Sequence, residues 1–284
     1  MRHIDHIVVA VRHLDQVADL FRRLGFQVGV RNRHPWGTEN RLIQFKSSFI
    51  ELITVDNAAP CIPPHQPRQF SFGAFVQEYL QQRQGIAMLV LSSTDAKSDA
   101  ARFAENGIGD FDPFFFERKA RTPDGSETQV AFTLAFANDP GAPDVGFFVC
   151  QQHFPDRFWN RSFQQHANSA MDIAAVRMTA PDPRQHAEFL TKFTGADKQS
   201  PMDGGLRFVL DGSRIEVVPA EEAQTRSSPS PLLTSFSVRV DEIDTLTRLL
   251  TMEEIPFTAS EQGVVLLPTT LCGVELRFET KDRM

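Results

Sequence analysis

The sequence predicts an α+β fold built from four tandem βαβββ modules. Apolar strands with a period of two alternate with amphipathic helices, and the order of these elements recurs about every 50–70 residues. Glycine follows the first three predicted helices at Gly25, Gly107 and Gly195, as expected after a helix C-terminus. A helix that buries one apolar face beside every short sheet is typical of an α+β protein.

The first module shows the pattern most clearly. Its strand at residues 4–11 precedes a helix at 14–24, in which Val17, Leu20 and Phe21 lie on one face. An additional strand is expected around 26–30, followed by a loop at 34–40. The module closes with strands at 41–45 and 49–55.

The other modules repeat this order with uneven spacing. Module two has strands at 86–91, 114–121, 128–137 and 146–151, a helix at 95–106, and a turn at 122–125. Module three has strands at 173–178, 206–210 and 213–218 and a helix at 183–193. Module four has a helix at 241–254 and strands at 235–240, 257–260, 263–267 and 273–278. Connecting segments are expected at 57–67, which contains four prolines, at 153–168, and at 219–231, with a short helix at 70–84.

Composition restricts the function. The net charge of −7 argues against a nucleic-acid binder, which needs a basic face, and favours a small-molecule partner. No apolar run reaches the roughly 18 residues of a membrane span, and the N-terminus lacks the pattern of a signal peptide. Three widely spaced cysteines without a CxxC pair suit a reducing compartment. We therefore expect a cytoplasmic protein without a membrane partner.

Phenylalanine is the dominant aromatic residue, with 25 Phe against two Trp and one Tyr. Phenyl rings either fill the core or line an apolar pocket. The sequence leaves both interpretations open.

A histidine and a glutamate flanked by apolar residues are the main candidates for chemistry. His6 lies on the first strand of module one and Glu51 on its last. His6 is either a core histidine bonded to Glu51, a metal ligand or an acid–base group. Glu51 has to face a pocket, a partner or solvent, because burying an unpaired carboxylate is costly.

Glutamate also occupies the closing strands of modules three and four, at Glu216 and Glu275. A solvated face is the simpler interpretation for both residues. Further candidate ligand-binding residues are in the 34–40 loop and beside it, and at the end of module two. They are His34, Trp36, Thr38, Asn40, Arg41, Gln151 and His153.

The opening run Ile4-Asp5-His6-Ile7-Val8-Val9-Ala10-Val11 and the closing run Phe49-Ile50-Glu51-Leu52-Ile53 resemble the vicinal oxygen chelate superfamily. This superfamily includes glyoxalase I, extradiol dioxygenases and bleomycin resistance proteins. The 33–40 loop is similar to that of its glyoxalase-like branch. The resemblance is good over residues 1–160 and looser over 170–280.

The resemblance implies that modules pair into cup-shaped mixed-sheet domains at 1–160 and 170–284, with the working site in the first. It also implies His6 and Glu51 as ligands of a divalent ion such as Zn, Mn, Ni or Fe. The matching positions in module two are Met88 and either Cys150 or Gln151, which are poor ligands, so no module pair has a complete ligand set. Glu51 is the expected catalytic base if no metal binds.

Two functions follow as hypotheses. The first is a metal-assisted lyase, isomerase or dioxygenase that acts on two vicinal oxygens. The second is a metal-free protein that sequesters an apolar or aromatic molecule. The second half is either a further site or a structural partner, and a homodimer is compatible with the sequence.

Overall fold

A computed structural model shows how the modules assemble. It describes residues 2–56, 58, 61–121, 127–196, 199–202, 204–220, 230–260 and 263–280. The predicted turn at 122–125 and most of the 219–231 linker therefore lie outside the described residues.

The α+β fold is confirmed. The strands are β1 (Ile4–Ala10), β2 (Asn32–Arg33), β3 (Thr38–Gln44), β4 (Phe49–Val55), β5 (Gly85–Ser92), β6 (Phe114–Arg121), β7 (Glu127–Ala137), β8 (Gly146–Gln152), β9 (Ala170–Ala180), β10 (Gln199–Met202), β11 (Gly205–Val209), β12 (Arg214–Pro219), β13 (Leu232–Val240), β14 (Thr258–Ser260), β15 (Gly263–Leu266) and β16 (Glu275–Thr280). The helices are α1 (Leu14–Arg23), α2 (Phe72–Gln82), α3 (Ala96–Glu105), α4 (Pro155–Phe158), α5 (Ala187–Thr194) and α6 (Ile243–Met252), with 3₁₀ turns at Arg161–Gln164 and Pro183–His186.

Modules pair through their first strands. Strand β1 is antiparallel to β5, and each lies parallel to the closing strand of its own module, β4 or β8. Strands β9 and β13 make the same arrangement with β12 and β16. A single registered pair, Leu233 with Ile86, joins the two halves of the sheet. The division into domains at 1–160 and 170–284 stays a prediction.

The sheet of the first half curls until its outer strands approach each other. Trp36, between β2 and β3, lies with its ring 5.0 Å from that of Phe116 on β6. Alternation of side chains gives this curled sheet two apolar faces. Ile7 and Val9 of β1 pack with α1 and α3 on the outer face, whereas Val8 and Ala10 belong to the concave face.

Helix α2, which confirms the short helix expected at 70–84, closes one end of the concave face. Ser71 caps it by accepting a hydrogen bond from the Ala74 amide at 3.2 Å. Its buried residues Val76 and Tyr79 pack with Val8 and Ala10. The Tyr79 hydroxyl donates to the Ile86 carbonyl at 3.2 Å. The proline-containing connector therefore leads into a helix that packs against the cup.

Two local predictions for module one were wrong. Residues 26–30 form no strand, and the segment predicted as a loop is a short turn before β3, which begins at Thr38. The β2–β3 hairpin explains the second error, since Asn40 pairs with Asn32 and with Ile53 and so belongs to the sheet. Among the described residues, no helix is long and apolar enough to cross a membrane.

Candidate functional site

The concave face of the first half encloses an aromatic pocket. Its empty volume is about 490 Å³, including the open solvent at its mouth. Most of the lining is apolar, and the polar groups are concentrated in a few side chains. The lining residues are His6, His34, Trp36, Asn40, Leu42, Phe49, Glu51, Phe72, Phe116, Arg118, Phe132, Leu134, Phe148, Cys150 and Phe158.

Strand alternation explains which residues reach this pocket. Residues two apart on one strand face the same side, so Phe49 and Glu51 of β4 both point inward. The same rule brings in Phe116 with Arg118 on β6, and Phe148 with Cys150 on β8. The Phe-lined pocket and the Phe-filled core thus both occur, on opposite faces of one sheet.

His6 is oriented by its neighbour in sequence. Its Nδ1 lies 2.6 Å from Oδ1 of the buried Asp5, and its ring stacks on Phe49 at 4.1 Å. Side chains of adjacent strand residues normally diverge, but the β1–β5 register shifts between Ile4 and His6, and such an irregularity re-aims side chains. When Nδ1 donates to the Asp5 carboxylate, Nε2 is left as the free acceptor.

Glu51 faces this free nitrogen. Its Oε2 lies 3.8 Å from Nε2 of His6, too far for a hydrogen bond, and both side chains are buried. Its Oε1 accepts a hydrogen bond from Nδ2 of Asn40 at 2.5 Å. The imidazole and the carboxylate therefore lie on one wall of the pocket. Nε2 of His6 and Oε2 of Glu51 face each other there without a hydrogen bond between them.

A polar chain supports Glu51 from behind. Nδ1 of His34 lies 2.8 Å from the Thr38 hydroxyl, and its Nε2 lies 3.3 Å from Nδ2 of Asn40. Burial lowers the pKa of His34, an effect that the charge of Glu51 opposes and that of Arg118 reinforces. A neutral His34 positions Asn40, which in turn holds Glu51. The structure thus brings the predicted residues His34, Thr38 and Asn40 together at one site.

Trp36 and Arg118 complete the polar wall. Trp36 stacks on His34 at 4.5 Å, and its buried Nε1 has no hydrogen-bond partner in the described part of the chain. Arg118 donates from Nη1 to Asn32 Oδ1 at 3.4 Å. Burial lowers the pKa of the Arg118 guanidinium, and the charge of Glu51 acts against that shift.

Three predicted ligand-binding residues lie elsewhere. Arg41 points to the outside of β3, where it binds Asp15 at 2.9 Å. Gln151 has the opposite parity to Cys150 on β8 and bonds the Ala96 amide at the start of α3, at 3.1 Å.

His153 is the third of them. It follows β8, and its Nε2 lies 2.8 Å from the Thr133 hydroxyl. None of the three lines the pocket, so their binding roles stay predictions.

Sequence reasoning overlooked Asp5 and Arg118. Arg118 had a usable signal, because it continues the alternation of Phe114 and Phe116 and a cation at an inward-facing position is unusual. The sequence carried no sign of the strand irregularity that turns Asp5 toward His6, because that irregularity depends on pairing with β5.

His6 and Glu51 fit a divalent ion as a pair of donors. Each metal–ligand bond would be about 2.1 Å, so donors 3.8 Å apart are close enough to share one ion. The described residues contain no group of three or more His, Cys, Asp or Glu that could hold a metal. The chain thus offers a two-residue donor set rather than a complete protein site.

The register shows why a third ligand is missing. In the parallel register of β1 and β4, His6 lies opposite Phe49, and Val8 lies opposite Glu51. In the matching register of β5 and β8, Met88 lies opposite Gly146, and Val90 lies opposite Phe148. The position matching Glu51 is therefore Phe148, not Cys150 or Gln151 as expected. An apolar thioether and a phenyl ring replace the second imidazole and carboxylate.

The closing glutamate of module three is not solvated as expected. Glu216 is buried and binds three arginines within 2.7–3.1 Å. They are Arg177, Arg207 and Arg214. Glu275 is only partly buried and pairs with Arg277 at 2.6 Å.

Comparison with known proteins places this site in a family. A family model described as a glyoxalase-like domain matches residues 4–194. A search of curated proteins returned no match.

Many solved structures share the fold, and three of them illustrate it at identities that support the fold alone. A hypothetical protein from Staphylococcus aureus has a TM-score of 0.68 at 14% identity, with 99% of this chain and 100% of that chain covered. A mutant 4-hydroxymandelate synthase from Streptomyces coelicolor has a TM-score of 0.57 at 10% identity and coverage of 98% and 92%. A xylose isomerase-like TIM barrel/4-hydroxyphenylpyruvate dioxygenase fusion protein has a TM-score of 0.54 at 11% identity and coverage of 99% and 49%.

Proposed function

Because this chain belongs to the glyoxalase-like domain family, we propose that its first cup acts on a small substrate with two adjacent oxygen atoms, by lyase, isomerase or dioxygenase chemistry. One observation carries the proposal. The buried Nε2 of His6, oriented by Asp5, faces Glu51 at 3.8 Å in an aromatic pocket. Oriented imidazole–carboxylate pairs of this kind are the usual means of moving a proton between substrate atoms.

The residues divide the work by their contacts. Without a bound ion, Glu51 takes the proton from the carbon next to the substrate oxygens. The unprotonated Nε2 of His6 takes the hydroxyl proton of the adjacent oxygen, which forms the imidazolium, and later returns that proton to the substrate. Asp5 stabilises the imidazolium that forms, since its carboxylate lies 2.6 Å from Nδ1. Asn40 keeps Glu51 in place through its hydrogen bond. Surrounding phenyl rings exclude water and strengthen these charge interactions.

His6 and Glu51 are also the residues that would hold a divalent ion. Such an ion would polarise the substrate oxygens as a Lewis acid. With two protein donors, its remaining positions would be open to water and to the vicinal oxygens of the substrate. We therefore expect weaker metal retention than at a site with three protein ligands.

Metal analysis combined with substitution tests the proposal. Wild-type protein is loaded with Zn, Mn, Ni or Fe(II), washed, analysed for bound metal and screened against α-keto aldehydes and catechols. We expect His6→Ala and Glu51→Ala to lose the metal and to reduce turnover by about 10²- to 10⁴-fold. His13→Ala and Glu275→Ala are matched controls, because these residues lie outside the pocket and should change neither property.

The results separate three cases. Turnover without metal that depends on Glu51 supports direct acid–base chemistry. Metal bound equally by the wild type and both variants contradicts the metal role of the pair. Unchanged turnover in both variants would overturn the assignment of the site.

A metal-free binding protein is the second candidate. It is favoured by Met88 and Phe148 at the positions where a second ligand pair would stand. For such a protein, an aromatic ligand would bind equally well with chelator present and would be released chemically unchanged. The proposal in either form includes the cytoplasm as the compartment, since the three cysteines are unpaired thiols.

A further inference from the structure

Arg118 has an unusual place in the first cup. Among the described residues that line the aromatic pocket, it is the one with a permanent positive charge. It also lines a wider vestibule next to this pocket, with Leu42 and Phe158 common to both. Arg118 therefore stands where the inner pocket meets the outer one.

The guanidinium of Arg118 is poorly paired. Within the described ranges it has no carboxylate closer than the 4.0 Å limit of an ion pair, and its single hydrogen bond, to Asn32, is long at 3.4 Å. By contrast, Arg214 holds Glu279 at 2.8 Å and Glu216 at 2.9 Å. The charge of Glu51 acts on the guanidinium only from beyond ion-pair distance, so a ligand that brings an anion closer to it would be bound favourably.

A second unsatisfied donor lies on the same wall. The buried Nε1 of Trp36 lacks a hydrogen-bond partner among the residues described. The Trp36 ring is 5.0 Å from that of Phe116, which precedes Arg118 by two residues and faces the same side of β6. An N–H group without a partner, near a cation that is only weakly paired, favours an anionic acceptor at this point.

We propose that Arg118 and the indole N–H of Trp36 form a subsite for the carboxylate of an aromatic carboxylic acid, whose ring lies among the phenyl groups of the pocket. One guanidinium and one N–H match the two oxygens and single charge of a carboxylate. The wall formed by Phe49, Phe132 and Phe148 suits a flat ring. The assignment rests on the proposed function, because it names the substrate class of that same site.

Glu51 limits where the carboxylate can lie. It is an anion in the same pocket, so the two carboxylates must be separated, with the ligand's acid group at Arg118 and an adjacent oxygen toward His6. A ligand that bears an oxygen next to its carboxylate satisfies both ends. Aryl 2-hydroxy acids have this arrangement and also carry, on the carbon between the two oxygen-bearing groups, the proton that Glu51 would remove.

Calorimetric titration with mandelate and its neutral methyl ester tests the subsite. We expect the acid to bind the wild type at least about tenfold more tightly than the ester, and Arg118→Gln to weaken acid binding about 10- to 100-fold. Binding of the ester should change by less than about threefold. Trp36→Phe should cost the acid a smaller factor, about three- to tenfold. Lys97→Gln removes the same charge from the exposed side of α3 and serves as the control.

Three results would overturn the subsite. They are equal affinities of the wild type for acid and ester, an equal loss of both ligands in Arg118→Gln, and no binding of either ligand at about 10 mM. An equal loss would mean that Arg118 only shapes the pocket or balances the charge of Glu51.

Glu51→Gln separates this inference from the proposed function. Retained acid preference and retained turnover in that variant would sink the catalytic assignment and leave the subsite standing. Lost turnover in Glu51→Gln, together with no acid preference in the wild type, would support the catalytic assignment and overturn the subsite.

Discussion

The two halves of the molecule each bury a glutamate on the closing strand of their first module, but they surround it with different side chains. Glu51 pairs in parallel register with Val8, and Glu216 with Arg177. Val8 offers Glu51 no charge, so this glutamate contacts only the Asn40 amide and, at 3.8 Å, the His6 imidazole. Arg177 instead binds Glu216 and, with Arg207 and Arg214, forms a three-arginine clamp around it. Arginines therefore surround Glu216 at the three positions where module one has Val8, Leu42 and Phe49. They make Glu216 the centre of an ion cluster, whereas Glu51 is left free for the role proposed above.

Stability should show this contrast most strongly. Glu216→Ala leaves Arg177, Arg207 and Arg214 without their shared anion, so we expect the free energy of unfolding to fall by about 3–5 kcal/mol. Glu275→Ala removes a partly exposed ion pair and should cost about 1 kcal/mol or less. Urea unfolding followed by circular dichroism measures both. Similar losses in the two variants would contradict the clamp.

The acid stability of the second half tests the same ion cluster. Burial alone would raise the pKa of Glu216, but its hydrogen bonds and charge interactions with Arg214 and Arg177 prevail and lower it to about 2. The stabilisation is therefore complete above the unfolded pKa of about 4.5 and is lost as the pH falls toward 2. The lowered pKa of Glu216 corresponds to a stabilisation of about 3 kcal/mol. The difference in Tm between the wild type and Glu216→Gln should shrink between pH 6 and pH 3, and a constant difference would refute the assignment.

Introducing metal ligands into module two tests whether its apolar residues are the reason for the incomplete ligand set of the first half. Met88 pairs with Val8, diagonally across from His6, and Phe148 holds the position that matches Glu51. Met88→His combined with Phe148→Glu should raise Zn affinity at least about tenfold, because it supplies the missing protein ligands. Competition with a chromogenic chelator measures this, and adding Glu51→Gln should reverse the gain. An unchanged affinity would show that the module-two positions do not face a common ion.

The smallest expected effect concerns the cysteines. Cys61 is exposed, whereas Cys150 is buried in the first cup. Burial, with smaller contributions from the charges of Asp5 and Glu51, raises the pKa of the Cys150 thiol. Cys61→Ser should change the free energy of unfolding by less than about 0.5 kcal/mol and remove the fast-reacting thiol in a titration with a disulfide reagent. Rapid labelling of Cys150 in folded protein would mean that the pocket opens widely.

Much of the fold was predictable because local patterns determine its elements. The period-two runs and the helix face of Val17 and Phe21 depend on residues close in sequence. The errors in module one have the opposite origin. Residues 38–40 look like a loop by composition, yet pairing of Asn40 with Ile53 on β4 makes them a strand. Pairing between segments overrides local preference when it satisfies backbone hydrogen bonds.

By itself, the sequence determined the module order, the places of His6 and Glu51 on the first and last strands of module one, and the supply of Phe for an apolar pocket. Tertiary structure decided the chemistry around them. A strand irregularity turned Asp5 onto His6, and curling of the sheet brought Trp36 and Arg118 onto one wall. Pairing register put Phe148 where a ligand was expected. Each of these outcomes depends on contacts between residues far apart in the chain, which periodicity within a segment does not encode.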